Sequence, residues 1–82
     1  MNFVYPNPLK NGQKLVIHIK NSRENLNAEL YDMAGTLLIS AKGSLSEINK
    51  EINDKIKDLK TGIYVISIND ETNKYNSKII KE

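Results

Sequence analysis

The chain has 82 residues and a formal net charge of +2, with 39% hydrophobic and 27% charged residues. It is too short for two independent cores, and its 12 basic residues are interspersed with 10 acidic ones, so the clustered basic footprint of a nucleic-acid surface is absent. With no cysteine there is no disulfide framework or thiolate chemistry, and no apolar run approaches the ~18 residues of a membrane span.

Phe3, Val4 and Tyr5 form a short extended segment that stops at Pro6-Asn7-Pro8, where two prolines fix φ and remove two backbone donors. This suits an edge or capping segment. Residues 1–5 carry no basic n-region followed by a long apolar stretch, so no signal peptide is read here, and the address of an exported protein would lie on sequence outside this chain. Asn11-Gly12 marks a turn. In residues 14–20, Leu15, Ile17 and Ile19 alternate against Val16, His18 and Lys20, which predicts a half-buried strand. Residues 21–27 are polar and turn-like. Residues 28–32 and 36–42 read as two strands joined by the tight turn Asp32-Met33-Ala34-Gly35, with Gly35 in the left-handed position.

Between residues 44 and 60, Leu45, Ile48, Ile52, Ile56 and Leu59 recur at spacings of three and four. Periodicity alone favours an amphipathic helix, although a spacing of four also puts Ile48, Ile52 and Ile56 on one face of an extended chain. The densest apolar run follows, from Leu59 to Ile68. Tyr64, Ile66 and Ile68 point to one face of a strand and Ile63, Val65 and Ser67 to the other, so this strand is expected to be central and covered. Gly62 is expected to open it through a sharp turn at positive φ. Residues 70–73 are a polar turn, and residues 75–81 a last strand that pairs back as a hairpin.

Four pieces of this chain in order, Tyr5-Pro6-Asn7-Pro8 with Gly12, Leu30-Tyr31-Asp32-Met33-Ala34-Gly35, Leu59-Lys60-Thr61-Gly62-Ile63-Tyr64-Val65, and the closing residues 75–81, resemble the type A C-terminal sorting domain of the type IX (Por) secretion system of Bacteroidetes. The resemblance implies an all-β fold, a small Ig-like antiparallel β-sandwich of about seven strands. It makes residues 1–82 a single sorting domain, cut from a larger exported protein. A domain of this kind is non-catalytic and follows an N-terminal cargo domain. It is read by the outer-membrane translocon in the periplasm, and in many family members a sortase-like protein then removes it and attaches the cargo at the cell surface or releases it. No cofactor, metal, nucleic acid or small-molecule substrate is implied. The sandwich also makes residues 46–53 a strand, the assignment adopted here, with room for a short helical turn within residues 54–60. The alternative function is a generic Ig-like or fibronectin-like interaction module, or a carbohydrate-binding one, in a surface protein.

Within that reading the recognition candidates are Tyr5, Pro6, Asn7, Pro8, Gly35, Leu59, Gly62, Tyr64, Lys78, Ile79, Ile80 and Lys81. Each has a plainer explanation. Tyr5-Pro6-Asn7-Pro8 makes a rigid turn that buries Tyr5, Gly35 serves a hairpin, and Tyr64 belongs to the core. Lys78 and Lys81 have no evident structural duty; they either blunt a sheet edge or form the surface a receptor reads by pairing with that edge. His18, the one histidine, is expected at a solvated or boundary position. Without cysteine or a second histidine a zinc site is not supported, and no nucleophile elbow or phosphate loop is present. Glu24, Glu29, Asp32, Glu47, Glu51, Asp54 and Asp58 are scattered among lysines and read as solvated faces.

Overall fold

The structure, a computed structural model, describes residues 2–20 and 25–82. Two hairpins build its larger sheet: β3 (Leu26–Asp32) with β4 (Leu37–Gly43), and β5 (Gly62–Asn69) with β6 (Lys74–Lys81). An antiparallel β3–β5 pairing joins them in the order β4-β3-β5-β6. Both turns rest on an aspartate that accepts from backbone amides ahead of it. Asp32 Oδ1 takes the amides of Ala34 (3.0 Å) and Thr36 (2.9 Å), and Asp70 Oδ1 those of Thr72 (2.8 Å) and Asn73 (2.7 Å). Gly35 has φ +88, the left-handed value its turn requires.

Register aligns the apolar residues into rows on one face. Ile39, Leu30 and Ile66 form one row, Ala41, Ala28, Ile68 and Tyr75 a second, and Tyr64 and Ile79 a third. Against that face lies a second layer of β1 (Phe3–Tyr5), β2 (Val16–His18) and α1 (Leu45–Ile56), which contributes Val4, Leu15, Ile17, Ile48, Ile52 and Ile56 to the same buried cluster. Fully burying each such aliphatic side chain stabilises the fold by about 1.5–3 kcal/mol relative to exposure.

The helix starts at a reciprocal cap. Ser44 Oγ accepts from the amide of Glu47 (3.2 Å), while Glu47 Oε1 accepts from the amide of Ser44 (2.9 Å). Ile48, Ile52 and Ile56 face the core, and the neighbouring stripe carries Asn49 and Asn53. Asn53 accepts from Leu15 N (2.8 Å) and donates to Leu15 O (2.7 Å); Asn49 does the same with Ile17 N (2.9 Å) and O (3.0 Å). A side-chain amide carries the donor and acceptor of a peptide unit. Four residues of helix rise about 6 Å and two residues of strand about 6.6 Å, so asparagines at i, i+4 match the open edge of β2. In the second layer, α1 therefore stands where a third strand would.

This corrects the strand expected over residues 46–53. The sheet position is filled, but by a helix, and the sandwich has six strands with one helix instead of seven strands. The strand from Gly62 is central and its two faces differ: Tyr64, Ile66 and Ile68 are buried on one, while on the other Ser67 is buried, Val65 half-buried and Ile63 44% exposed. Gly62 is not among the glycines at positive φ, so it is no left-handed hinge; it simply begins β5 opposite Lys81. Tyr5 is 47% exposed rather than buried, because β1 alternates and only Val4 turns inward. The polar turn expected over residues 21–27 lies partly outside the described residues, as does Glu24; at its far end Asn25 has φ 68 and β3 has begun by Leu26.

Candidate functional site

The last strand is an edge of the larger sheet, and the first segment of the chain closes half of it. In an antiparallel edge, alternate residues turn both backbone groups outward. Here the outward groups near the chain's end are taken. Asn7 Nδ2 donates to Lys78 O (2.8 Å), and Asn7 Oδ1 accepts from Ile80 N (2.9 Å). Leu9 N then donates to Ile80 O (2.7 Å), and Glu82 N to Leu9 O (2.8 Å), so Leu9 continues as a parallel bridge beside Lys81. Tyr5-Pro6 and Asn7-Pro8 are both cis peptide bonds within this clasp. Neither proline could donate to a ladder, so the segment pairs through the side chain of Asn7 and the backbone of Leu9. The Lys78 amide and the outward positions Asn76 and Lys74 remain open.

Lys81 is half-buried and does have structural work: its Nζ donates to Leu59 O and Lys57 O, satisfying carbonyls past the end of α1. Its positive charge there also complements the helix C-terminus. Nearby, Tyr64 is 7% exposed and its hydroxyl donates to Lys60 O (2.5 Å). The segment of residues 57–60 is thereby held from both β5 and β6.

The sequence candidates separate by exposure. Tyr5, Asn7, Pro8, Lys78 and Ile80 are exposed, whereas Ile79 is fully buried opposite Tyr64. Tyr5, Pro6, Asn7 and Pro8 meet Lys78 and Ile80 through the Asn7 clasp, and Leu59, Gly62 and Tyr64 adjoin them through Lys81 and β5. Gly35 shares that end of the sheet, since Asp32 faces Tyr64, but its amide bonds only within its own turn. On the open face of the sheet, Lys78 lies opposite Val65 and Ile80 opposite Ile63.

Sequence reasoning passed over three features. Leu9 lies just after two prolines with no strand pattern around it, and nothing local reveals its bridge to Lys81. Asn49 and Asn53 did carry a signal, an i, i+4 asparagine pair beside an apolar stripe. Phe3 packs on His18 (ring centroids 4.8 Å) and beside Tyr5 (5.2 Å), which leaves an exposed aromatic cluster on β1–β2.

Two carboxyl groups are held below their ordinary values by hydrogen bonds to the charged form. Glu47 is lowered by the backbone amide and hydroxyl of Ser44, and Asp70 by the amides of Asn73 and Thr72. The Tyr31 hydroxyl is raised by desolvation and by neighbouring Glu29. All three serve local structure. Among the described residues no three His, Cys, Asp or Glu side chains are grouped to hold a metal ion, and no helix is long and apolar enough to cross a membrane.

A small β-sandwich whose last strand is held by its own first segment is the class of domain these features define. The family model of the secretion system C-terminal sorting domain matches residues 3–82, and the chain belongs to that family. No curated protein matches it. Membership makes it a C-terminal secretion signal of the type IX system, part of a larger exported protein, in a family that is non-catalytic in general.

Proposed function

We propose that residues 1–82 act as one folded delivery signal. In this reading they carry an attached cargo from the periplasm through the type IX outer-membrane translocon, after which a sortase-like protein removes the domain and the cargo is attached to the cell surface or released. The observation that supports this best is the clasp between Asn7, Leu9 and β6. It joins the two ends of the chain into one surface that exists only when the domain is folded. Tyr5, Pro6, Asn7, Pro8, Lys78 and Ile80 would be the residues a receptor reads. Gly35, Leu59, Gly62, Tyr64, Ile79 and Lys81 would hold them in shape.

The test places the chain behind a signal peptide and a fluorescent reporter in a bacterium with the type IX machinery. Reporter at the cell surface or in the medium is expected, and reporter retained in the periplasm would overturn the reading. A second reading, an interaction or carbohydrate-binding module, draws on the exposed Phe3, Tyr5 and His18 cluster, since flat rings offer a sugar-stacking platform. An internal or repeated position of the domain in its parent protein would favour it.

A further inference from the structure

A cleft of about 600 Å³ lies between the loop of residues 10–15 and the C-terminal half of α1. Its exposed apolar surface is Val16, 37% exposed, backed by the buried Leu9, Leu15 and Ile56. Its rim carries Lys10, Lys14, Lys50, Lys57 and Lys81, against a single lining carboxylate, Asp54. Lys81 is committed to the carbonyls of Lys57 and Leu59. The other four lysines are exposed, and among the described residues none is in a salt bridge. Glu82 joins Leu9 through its backbone and does not line the cleft.

We propose that this cleft binds an acidic peptide segment of a protein partner, with an aliphatic side chain against Val16 and flanking carboxylates against the rim lysines. The volume falls within the roughly 300–1,000 Å³ typical of ligand pockets. Lysine is a hydrated point charge that draws carboxylates without demanding one geometry; the forked guanidinium that favours bidentate phosphate binding is absent from the lining, and so is any aromatic ring for stacking a sugar or base. Gly12, at φ +87 with nothing within 4 Å of where its Cβ would stand, leaves bare backbone at one wall for a peptide to approach. The rim charge would speed encounter and Val16 would supply the contact that selects an apolar side chain. This inference does not depend on the export reading.

The test titrates a fluorescein-labelled peptide of alternating glutamate and leucine against the isotopically labelled chain. Fluorescence anisotropy reads the affinity and amide chemical shifts the location. Shifts are expected in residues 10–16 and 49–57. Reversing two exposed loop lysines (Lys10→Glu, Lys14→Glu) is expected to weaken binding about fivefold, the sum of two surface ion pairs, with the thermal melt unchanged. The proposal is overturned by absence of binding, by shifts confined to the open sheet face around Ile63, Val65 and Ile80, or by equal affinity for a peptide with serine in place of leucine. Tighter binding of a heparin fragment at the same residues would also overturn it, in favour of an anionic glycan.

Discussion

At Gly43 the backbone stands at φ +135, and a Cβ there would lie 2.7 Å from Glu47 Oε1. Gly43→Ala therefore strains the backbone and pushes the capping carboxylate off Ser44, a combined loss of about 2 kcal/mol. Gly62 has no such constraint, because an added Cβ would meet Tyr64 only at ordinary contact distances, 3.7 Å and beyond. Gly62→Ala is expected to change stability by no more than about 0.5 kcal/mol, and urea denaturation of the two variants side by side checks the contrast. The roles of Asp32, Gly35 and Asp70 were legible in the sequence because a turn is a local event. That of Gly62 was misread because a glycine at a strand boundary looks the same whether it bends the chain or not.

The helix depends on its two ends and on its asparagine stripe. Asn49 and Asn53 serve backbone groups 32 and 38 residues away. Replacing either with alanine strips a donor and an acceptor from the partly buried β2 edge. That costs about 1–3 kcal/mol, which alanine's better helix propensity offsets by roughly half a kcal/mol. Each single variant should melt lower than the parent, and the double variant lower still, with amide exchange accelerated at Leu15 and Ile17. The cap adds a pH dependence. A lowered carboxyl pKa means stability that is present above the unfolded value and lost as pH falls through the folded one. Glu47 and Asp70, with ordinary values of 4.5 and 3.8, are thus expected to make thermal stability fall below about pH 4.5. Replacing Glu47 and Asp70 with their amides should flatten that decline in a melt series from pH 6 to pH 3. Ser44-Leu45-Ser46-Glu47 has the spacing of a capping box and favours the helix over the strand expected for residues 46–53.

For the molecule as a whole, the last strand cannot be both a dispensable tag and a member of the core. Removing residues 78–82 takes away Ile79, which is fully buried, together with every contact of the Asn7 and Leu9 clasp. Loss of a cooperative thermal transition is the expected outcome, so failed export of that truncation would report folding rather than recognition. Lys78→Glu separates the two, since Lys78 is exposed on the open sheet face. It should keep the parental melt while export of a reporter fusion falls, and undiminished export would remove Lys78 from the recognition surface.

Alternation, turn chemistry and apolar spacing determined by themselves the two hairpins, the single core and the inward residues of β2, because each follows from neighbours a few positions apart. The tertiary structure alone decided that the helix stands beside β2 in place of a strand, that Lys81 caps that helix, and that the Pro6-Asn7-Pro8 segment closes the edge of β6. Those outcomes rest on hydrogen bonds between residues 22 to 73 positions apart, which a local pattern does not encode.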